Sequence, residues 1–252
     1  MNRPDIETMR PSAVLIDLDG TLLDERDCIS PRVVAAVRAA SRRAPVAIAS
    51  GRVLEDVAHF ARLLGLDGPQ VCDNGARLAQ AMTGRTIADL PIELPSAQRI
   101  VERLESAERK FFAVDAGRTV RRTADFGDWR VTVITCALET RRDAEVLAEL
   151  DHGNGGVSAI PSMGSRGEWY INYTHERADK GHGVRMFCKE TGLRAEDVMA
   201  IGDGLNDLDM FDAVGLPVAM GHATPAALER ARALTGNLEE DGVAQALERW
   251  VL

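Results

Sequence analysis

The sequence lacks the patterns that mark secreted, membrane-spanning or zinc-binding proteins. Its cysteines, Cys28, Cys72, Cys136 and Cys188, are far apart and form no CxxC pair, which favours free thiols in a reducing compartment. No segment reaches the ~18 consecutive apolar residues of a membrane span, and the first twenty residues contain no apolar stretch of signal-peptide length. We therefore expect a cytoplasmic protein without a membrane partner.

Basic residues are in the minority. Lysine and arginine total 30 against 39 aspartate and glutamate residues, which gives a formal net charge of −9. Nucleic-acid binding depends on a basic surface, so this balance argues against a nucleic-acid partner. A small anionic substrate is compatible with it, because a local site can differ in charge from the whole protein. We expect a monomer or a small homo-oligomer.

The chain has no internal repeat and no long linker, but its pattern of predicted elements changes twice. Near both ends, buried strands alternate with helices, which is typical of βαβ units and a parallel sheet. In the middle, strands with one polar face accompany two helices, which favours an antiparallel α+β layer. We predict an α/β fold in which residues 1–83 and 173–252 form a doubly wound, mostly parallel, Rossmann-like core. Residues 84–172 are predicted to form an inserted α+β domain, in which DHGNGG and PSMGSRG are interpreted as loops.

Local signals mark the ends of two helices in the predicted core. The segment SPRVVAAVRAASRR is expected to start with Ser30 as the N-cap and Pro31 at the first helical position, where each residue type is favoured. The segment VLEDVAHFARLLG is expected to end at Gly65, since glycine readily adopts the left-handed conformation that closes a helix. These signals support alternating strands and helices in the first part of the chain.

Polar residues cluster where the predicted parallel strands end or where the following helix begins. Ligands of open α/β sheets bind beyond the carboxyl ends of the strands, so these residues are expected to share one site. They are Asp17 and Asp19, Ser50, Lys180, and Asp203 with Asp207.

The chemistry of this set favours phosphoryl transfer with a magnesium ion. Several carboxylates repel one another unless a cation neutralises them, and oxygen ligands without histidine or cysteine suit Mg²⁺ better than zinc. A lysine and a hydroxyl beside the metal can bind a phosphoryl group. An aspartate can attack phosphorus to form an aspartyl-phosphate, and a second acid can protonate the leaving oxygen.

Four segments, DLDGTLLD, IASGR, ADKG and GDGLNDLDM, resemble in order the motifs of the haloacid dehalogenase-like phosphohydrolases. CDNGA and the C-terminal segment from GLPVAMGHAT onward further resemble the Cof-type subgroup, which carries an α/β cap between the second and third motifs. The predicted insertion lies in that place. One departure is His222, which stands where the Cof-type pattern often has asparagine. We interpret it as a loop residue in preference to a residue that lines the rim of the site.

The resemblance implies a role for each motif residue. Asp17 would be the nucleophile and a Mg²⁺ ligand, and Asp19 would be the general acid and base, with its backbone carbonyl as a further ligand. Ser50 would donate a hydrogen bond to the transferring phosphoryl group. Lys180 would neutralise both the nucleophile and the phosphate.

The fourth motif would complete the metal site. Asp203 would bind Mg²⁺ directly, and Asp207 would support the metal through water or through Lys180. Asn206 would bond a phosphate oxygen or orient Asp203. Gly20 would leave space for the phosphate, while Thr21 would bond back onto its own turn. Further candidates for phosphate or substrate contact are Gly51, Arg52, Asn74, Gly75 and Arg166.

Together these features predict a Mg²⁺-dependent phosphatase that forms an aspartyl-phosphate, with sugar phosphates as the favoured small substrates. Two alternatives share the same scaffold. A phosphomutase would return the phosphoryl group to a second hydroxyl, and a non-enzymatic phospho-receiver or regulatory module would stay phosphorylated without turnover.

Overall fold

The computed structural model describes residue 6, residues 8–163 and residues 167–252. The chain divides into two compact units, Met1–Ile87 together with Asp179–Leu252, and Ala88–Ala178. The boundaries predicted from the sequence lie four and six residues nearer the N-terminus, at 83 and 172 instead of 87 and 178. The roles of catalytic core and cap for these units remain predictions.

The first part of the chain alternates strands and helices and then forms a hairpin. Its elements are β1 (Ala13–Ile16), α1 (Pro31–Ala40), β2 (Val46–Ile48), α2 (Leu54–Leu64), β3 (Pro69–Cys72), β4 (Arg77–Gln80) and β5 (Thr86–Asp89).

In the described part of the second unit, two helices lie among five strands. They are α3 (Leu94–Ser106), β6 (Phe111–Asp115), β7 (Arg118–Val120), β8 (Val131–Leu138), α4 (Arg141–Asp151), β9 (Val157–Met163) and β10 (Trp169–His175).

The last part of the chain returns to the first unit. Its elements are α5 (Lys180–Thr191), β11 (Val198–Gly202), α6 (Leu208–Ala213), β12 (Leu216–Ala219), α7 (Pro225–Arg230), β13 (Ala233–Leu234) and α8 (Gly242–Trp250).

A five-stranded sheet in the order β13-β12-β11-β1-β2 organises the first unit, and all its pairs are parallel. Every residue of β1 is at most 1% exposed, which explains its uninterrupted apolar sequence. The chain moves from β1 to β2 on one side and later from β11 to β12 on the other. The order therefore reverses between β1 and β11, at the position where open α/β sheets bind ligands. This arrangement confirms the predicted doubly wound fold.

Both helix-end signals are confirmed. The Ser30 side chain accepts a hydrogen bond from the N–H of Val33 at 3.2 Å, and Pro31 is the first residue of α1. Gly65 follows α2 with φ of 72°, in the left-handed conformation. Local side-chain chemistry was sufficient to predict these two ends.

The second unit is an antiparallel sheet in the order β7-β6-β8-β10-β9 with α3 and α4. Its core combines apolar residues of both helices and of the strands. They include Ile100, Leu104, Ala144, Leu147, Ile134 and Ile171. This arrangement is the antiparallel α+β layer that was predicted for the middle of the chain.

Strand β9 shows where the sequence interpretation was wrong. PSMGSRG was expected to be a loop, but Pro161 to Met163 belong to β9, and Pro161 pairs with Ile171. Strand β9 is at the edge of its sheet, where a proline costs little because no further strand needs its missing N–H group. Pro161 is therefore compatible with a strand at this edge position.

Two expectations from composition can be compared with the structure. The four cysteines are free thiols, as predicted. Within the described ranges, no helix combines the length and apolar character needed to cross a membrane.

Candidate active site

The turn after β1 places its two acids in different environments. Asp17 continues the strand, and its N–H group donates to the carbonyl of Ile201 in β11 at 2.9 Å. Asp17 is only 4% exposed, whereas the side chain of Asp19 is 55% exposed. The spacing of two residues thus puts one carboxylate inside the site and one at its surface.

Gly20 and Thr21 join this turn to the loop after β11. Gly20 has φ of +81°, and a Cβ atom there would lie 2.7 Å from the Oδ2 atom of Asp203. The hydroxyl of Thr21 donates to Oδ1 of Asp203 at 2.8 Å. The expectation that Thr21 bonds its own turn is therefore wrong, because this side chain orients the acid at the end of the neighbouring strand.

Lys180 is the fully buried cation of the site. Its Nζ atom donates to the carboxylate of Asp17 and, at 2.7 Å, to Oδ1 of Asp207. The other oxygen of Asp207 accepts the N–H groups of Asp203 and Gly204, each at 2.9 Å. Because both of its oxygens are engaged, Asp207 holds the lysine and shapes the loop that carries Asp203.

The electrostatics of this cluster are dominated by burial and by mutual repulsion of its acids. Burial and the charge of Asp207 raise the pKa of Asp17, although Lys180 opposes them. Burial also raises the pKa of Asp203, against the hydrogen bond from Thr21. Burial alone would lower the pKa of Lys180, but Asp17 and Asp207 outweigh it, so that pKa is raised. Lys180 therefore stays charged, and the acids remain only partly compensated.

This cluster can hold a divalent cation. Carboxylate oxygens of Asp17, Asp203 and Asp207 all lie within 4.8 Å of one another. Three carboxylates and one lysine sum to a formal charge of −2, so a divalent cation would restore neutrality. The donors are oxygens, which a hard cation prefers. Since Asp207 is already engaged, Asp17 and Asp203 are the residues best placed to bind the ion directly.

Ser50 and Arg52 follow β2, the strand on the other side of β1. Ser50 is fully buried, and its hydroxyl accepts the N–H of Arg52 at 3.1 Å, which leaves the hydroxyl proton to be donated. The guanidinium of Arg52 donates to Asp19 through Nε at 3.1 Å and through Nη2 at 2.5 Å. It also donates to Asp27 at 2.5 Å. The structure thus places Arg52 on the exposed acid of the site, and its predicted role in substrate binding remains a prediction.

The turn Asp73–Gly75 after β3 has an unusual backbone. All three residues have positive φ, of 52°, 53° and 84°, and such conformations are costly outside glycine. The N–H of Asn74 donates to the carbonyl of Ser50 at 3.1 Å, and Nδ1 of His182 lies 2.9 Å from the carbonyl of Gly75. This turn therefore links the Ser50 loop to the first turn of α5.

Close packing also explains why the first turn of α5 contains two glycines, Gly181 and Gly183. A Cβ atom on Gly181 would collide with the carbonyl oxygen of Asp209, and one on Gly183 would collide with Val71. Glycine is unfavourable inside a helix, so its presence at these two positions is explained by the lack of space for a side chain. Asp179 caps the helix by accepting the N–H of His182 at 2.6 Å. These contacts hold the N-terminal end of α5 in place and thereby fix the position of Lys180.

Gly75→Ala is expected to lower the free energy of unfolding by about 3 kcal/mol or more, because strain and a collision add. A Cβ atom there would overlap the backbone carbonyl of Asp179, next to Lys180. Gly84→Ala is the matched control, since Gly84 has φ of +74° but open space around it, and about 1 kcal/mol is expected. Urea denaturation of both variants measures the difference. Equal losses would show that the contact with Asp179 is unimportant.

Two of the remaining predicted contact residues, Gly51 and Asn206, are exposed. A Cβ atom on Gly51 would have no neighbour within 4 Å. Arg166 lies outside the described residues. Roles for these residues in substrate binding remain predictions.

Two residues that support the site were not assigned that role from the sequence. Asp179 was not singled out, although aspartate directly before a helical segment is a recognised N-cap signal. His222 was interpreted as a loop residue in preference to one at the rim of the site, but its Nε2 atom lies 2.9 Å from the carbonyl of Gly20. No local signal in the sequence predicts that contact, because 202 positions separate the two residues.

Comparisons with known proteins identify the family to which this fold belongs. A family model described as haloacid dehalogenase-like hydrolase matches residues 14–130 and 129–247. A phosphoglycolate phosphatase of Haloarcula marismortui is 31% identical over 93% of this chain and 95% of its own. One of Methanothermobacter thermautotrophicus is 28% identical over 95% of this chain and 98% of its own.

A solved structure supports the fold independently. A haloacid dehalogenase-like hydrolase from Bacteroides thetaiotaomicron superposes with a TM-score of 0.82 at 22% identity, over 95% of this chain and 99% of that one. The predicted class of phosphoric monoester hydrolase is confirmed by the phosphatases among the relatives. The family match over most of the sequence shows that this chain belongs to the haloacid dehalogenase-like hydrolases.

Proposed function

We propose that this protein is a Mg²⁺-dependent phosphatase of small phosphorylated metabolites that works through an aspartyl-phosphate on Asp17. The observation that carries the proposal is the buried Lys180, which joins Asp17 to Asp207 beside Asp203 at the switch point of the sheet. The free thiols support the further proposal of a cytoplasmic location.

The groups around Asp17 suit a phosphoryl group. Lys180 supplies a positive charge, and the hydroxyl of Ser50 has a proton to donate. Within the described chain, the backbone N–H groups of Leu18 and Asp19 have no hydrogen-bond acceptor. Such donors stabilise the negative charge of phosphoryl oxygens, and Leu18 is fully buried, which strengthens its electrostatic contribution.

The two acids would divide the reaction between them. A carboxylate oxygen of Asp17 attacks phosphorus, the bond to the leaving oxygen breaks, and Asp19 gives that oxygen a proton. Water then attacks the phosphorus of the aspartyl-phosphate and gives a proton to Asp19. The bond between phosphorus and the Asp17 oxygen breaks, which restores the carboxylate and releases inorganic phosphate. The exposed position of Asp19 suits exchange with a departing group and with water. A bound Mg²⁺ held by Asp17 and Asp203 would neutralise charge on the phosphoryl oxygens.

The names of the relatives direct the choice of first substrate. Two relatives that align along nearly their whole length are phosphoglycolate phosphatases, so 2-phosphoglycolate is the first compound to test. The expectation of sugar phosphates remains a prediction to be tested beside it.

Phosphate release from 2-phosphoglycolate and from a panel of sugar phosphates is expected to require Mg²⁺. Removal of the metal with EDTA should abolish release, and excess Mg²⁺ should restore it, because the acids of the site need a counter-ion. A colorimetric phosphate assay with each compound checks this. Isomerised sugar phosphate without free phosphate would indicate a mutase, and a stably phosphorylated protein without turnover would indicate a receiver. Either outcome would contradict the proposal.

A further inference from the structure

The histidine in the turn between β12 and α7 contacts the turn that carries the two catalytic acids. Nε2 of His222 lies 2.9 Å from the carbonyl oxygen of Gly20. A carbonyl oxygen only accepts hydrogen bonds, so Nε2 must carry the proton. The imidazole thus holds the peptide that follows Gly20, one residue after Asp19.

The same turn also holds the neighbouring acid loop. The N–H of Thr224 donates to the carbonyl of Asp203 at 2.9 Å, and the N–H of Met220 donates to the carbonyl of Gly202 at 3.0 Å. Residues 220–224 therefore contact the loops that follow both β1 and β11. None of the four sequence motifs includes this turn, yet it connects the first motif to the fourth.

The carbonyl of Gly20 is a position where such a restraint matters. Glycine can adopt many backbone conformations, and Gly20 holds φ of +81° beside the carboxylate of Asp203. Rotation of its peptide would shift the preceding Asp19, whose side chain is mostly exposed. Arg52 restrains the carboxylate of Asp19, and His222 restrains the backbone carbonyl of the following residue, Gly20.

We propose that His222 is a positioning residue for the phosphatase reaction. By donating its Nε2 proton to the carbonyl of Gly20, it keeps the turn that carries Asp17 and Asp19 in the orientation needed for attack and proton transfer. The inference rests on the proposed function for its kinetic consequence, whereas the restraint on the turn can be measured without any substrate.

Three variants of this residue separate its possible contributions. His222→Ala removes the ring and the donor, His222→Phe keeps a ring without a donor, and His222→Gln keeps an N–H donor at similar reach. We expect the alanine and phenylalanine variants to lose about tenfold in kcat, since small displacements of catalytic groups are costly, with KM changed less than about twofold. The glutamine variant should keep most of the wild-type kcat.

Hydrogen exchange followed by mass spectrometry supplies the readout that needs no turnover. Peptides covering residues 17–23 should exchange faster in the alanine and phenylalanine variants, and at the wild-type rate in the glutamine variant. His59→Ala is the matched control, because His59 is another exposed histidine of the same unit, on α2. It should change neither kcat nor exchange in that segment.

The outcomes distinguish this inference from the proposed function. Wild-type kcat and unchanged exchange in His222→Phe would overturn the role of His222, and so would a glutamine variant as impaired as the alanine variant. A wild-type protein that releases no phosphate would overturn the proposed function. In that case, the exchange rates alone would decide whether His222 restrains the turn.

Discussion

Asp17→Asn is expected to lower phosphate release by at least about 10⁴-fold, because removal of a covalent nucleophile eliminates most of the catalysed rate. Asparagine has nearly the same shape but is a poor nucleophile towards phosphorus. The substitution also removes one of the three clustered carboxylates, so the native fold should persist. Single-turnover and steady-state assays of phosphate release from the best substrate measure the loss.

A trapping experiment makes the assignment of the nucleophile more specific. Acid quenching of wild-type protein during turnover of a ³²P-labelled substrate should leave label on the protein, and the Asp17→Asn variant should carry none. Asp67→Asn is the control, since Asp67 is exposed in the same unit and lies outside the acid cluster. Full turnover in the Asp17 variant, or label that persists in it, would show that another residue is the nucleophile.

Lys180→Met is expected to reduce both stability and activity, because it leaves Asp17 and Asp207 buried without their shared cation. Breaking a buried ion pair by removing one partner typically costs about 3–5 kcal/mol, and a loss near 3 kcal/mol is expected in metal-free buffer. Lys180 is fully buried and contacts both acids, so solvent cannot replace it. Loss of its charge from the phosphoryl site should lower kcat by about 10³-fold.

The stability and activity effects of Lys180 can be separated with a second substitution. Adding Asp207→Asn to Lys180→Met removes one of the unpaired carboxylates and should recover part of the lost unfolding free energy without recovering turnover. Lys189→Met is the control, because Lys189 is exposed near the end of the same helix. Urea denaturation and phosphate release are measured for all three proteins. If the Lys180→Met variant were as stable as wild type, Lys180 would not be the residue that neutralises these acids.

The parts of the site that were predictable from sequence depend on short-range patterns. Asp17 and Asp19 could be singled out as candidates because an apolar segment ends at the first acid and the residue after the second is glycine. The parallel sheet then required Asp17, Ser50 and Asp203 to meet at one edge, as the structure shows through the adjacency of β11, β1 and β2. The strand order therefore brings motifs that are separated in the sequence together in one site.

Other contacts could not be predicted, because they depend on which distant loops meet. Thr21 bonds Asp203 across 182 positions, and Arg52 reaches Asp19 across 33. A side chain on a turn has several possible partners, and the sequence does not tell which of them lies within about 3 Å. Which partner each side chain contacts is determined by the tertiary structure.

The sequence by itself determined most of the strands, two helix ends and which ionisable groups follow the parallel strands, because propensity, capping and ionisable chemistry are local properties. Only the tertiary structure decided how those groups are held. Lys180 is held by Asp17 and Asp207, Asp19 by Arg52, and the carbonyl of Gly20 by His222. These restraints arise where separate loops pack at the carboxyl edge of one sheet, and hydrogen bonds of about 3 Å form only after folding has brought their partners together.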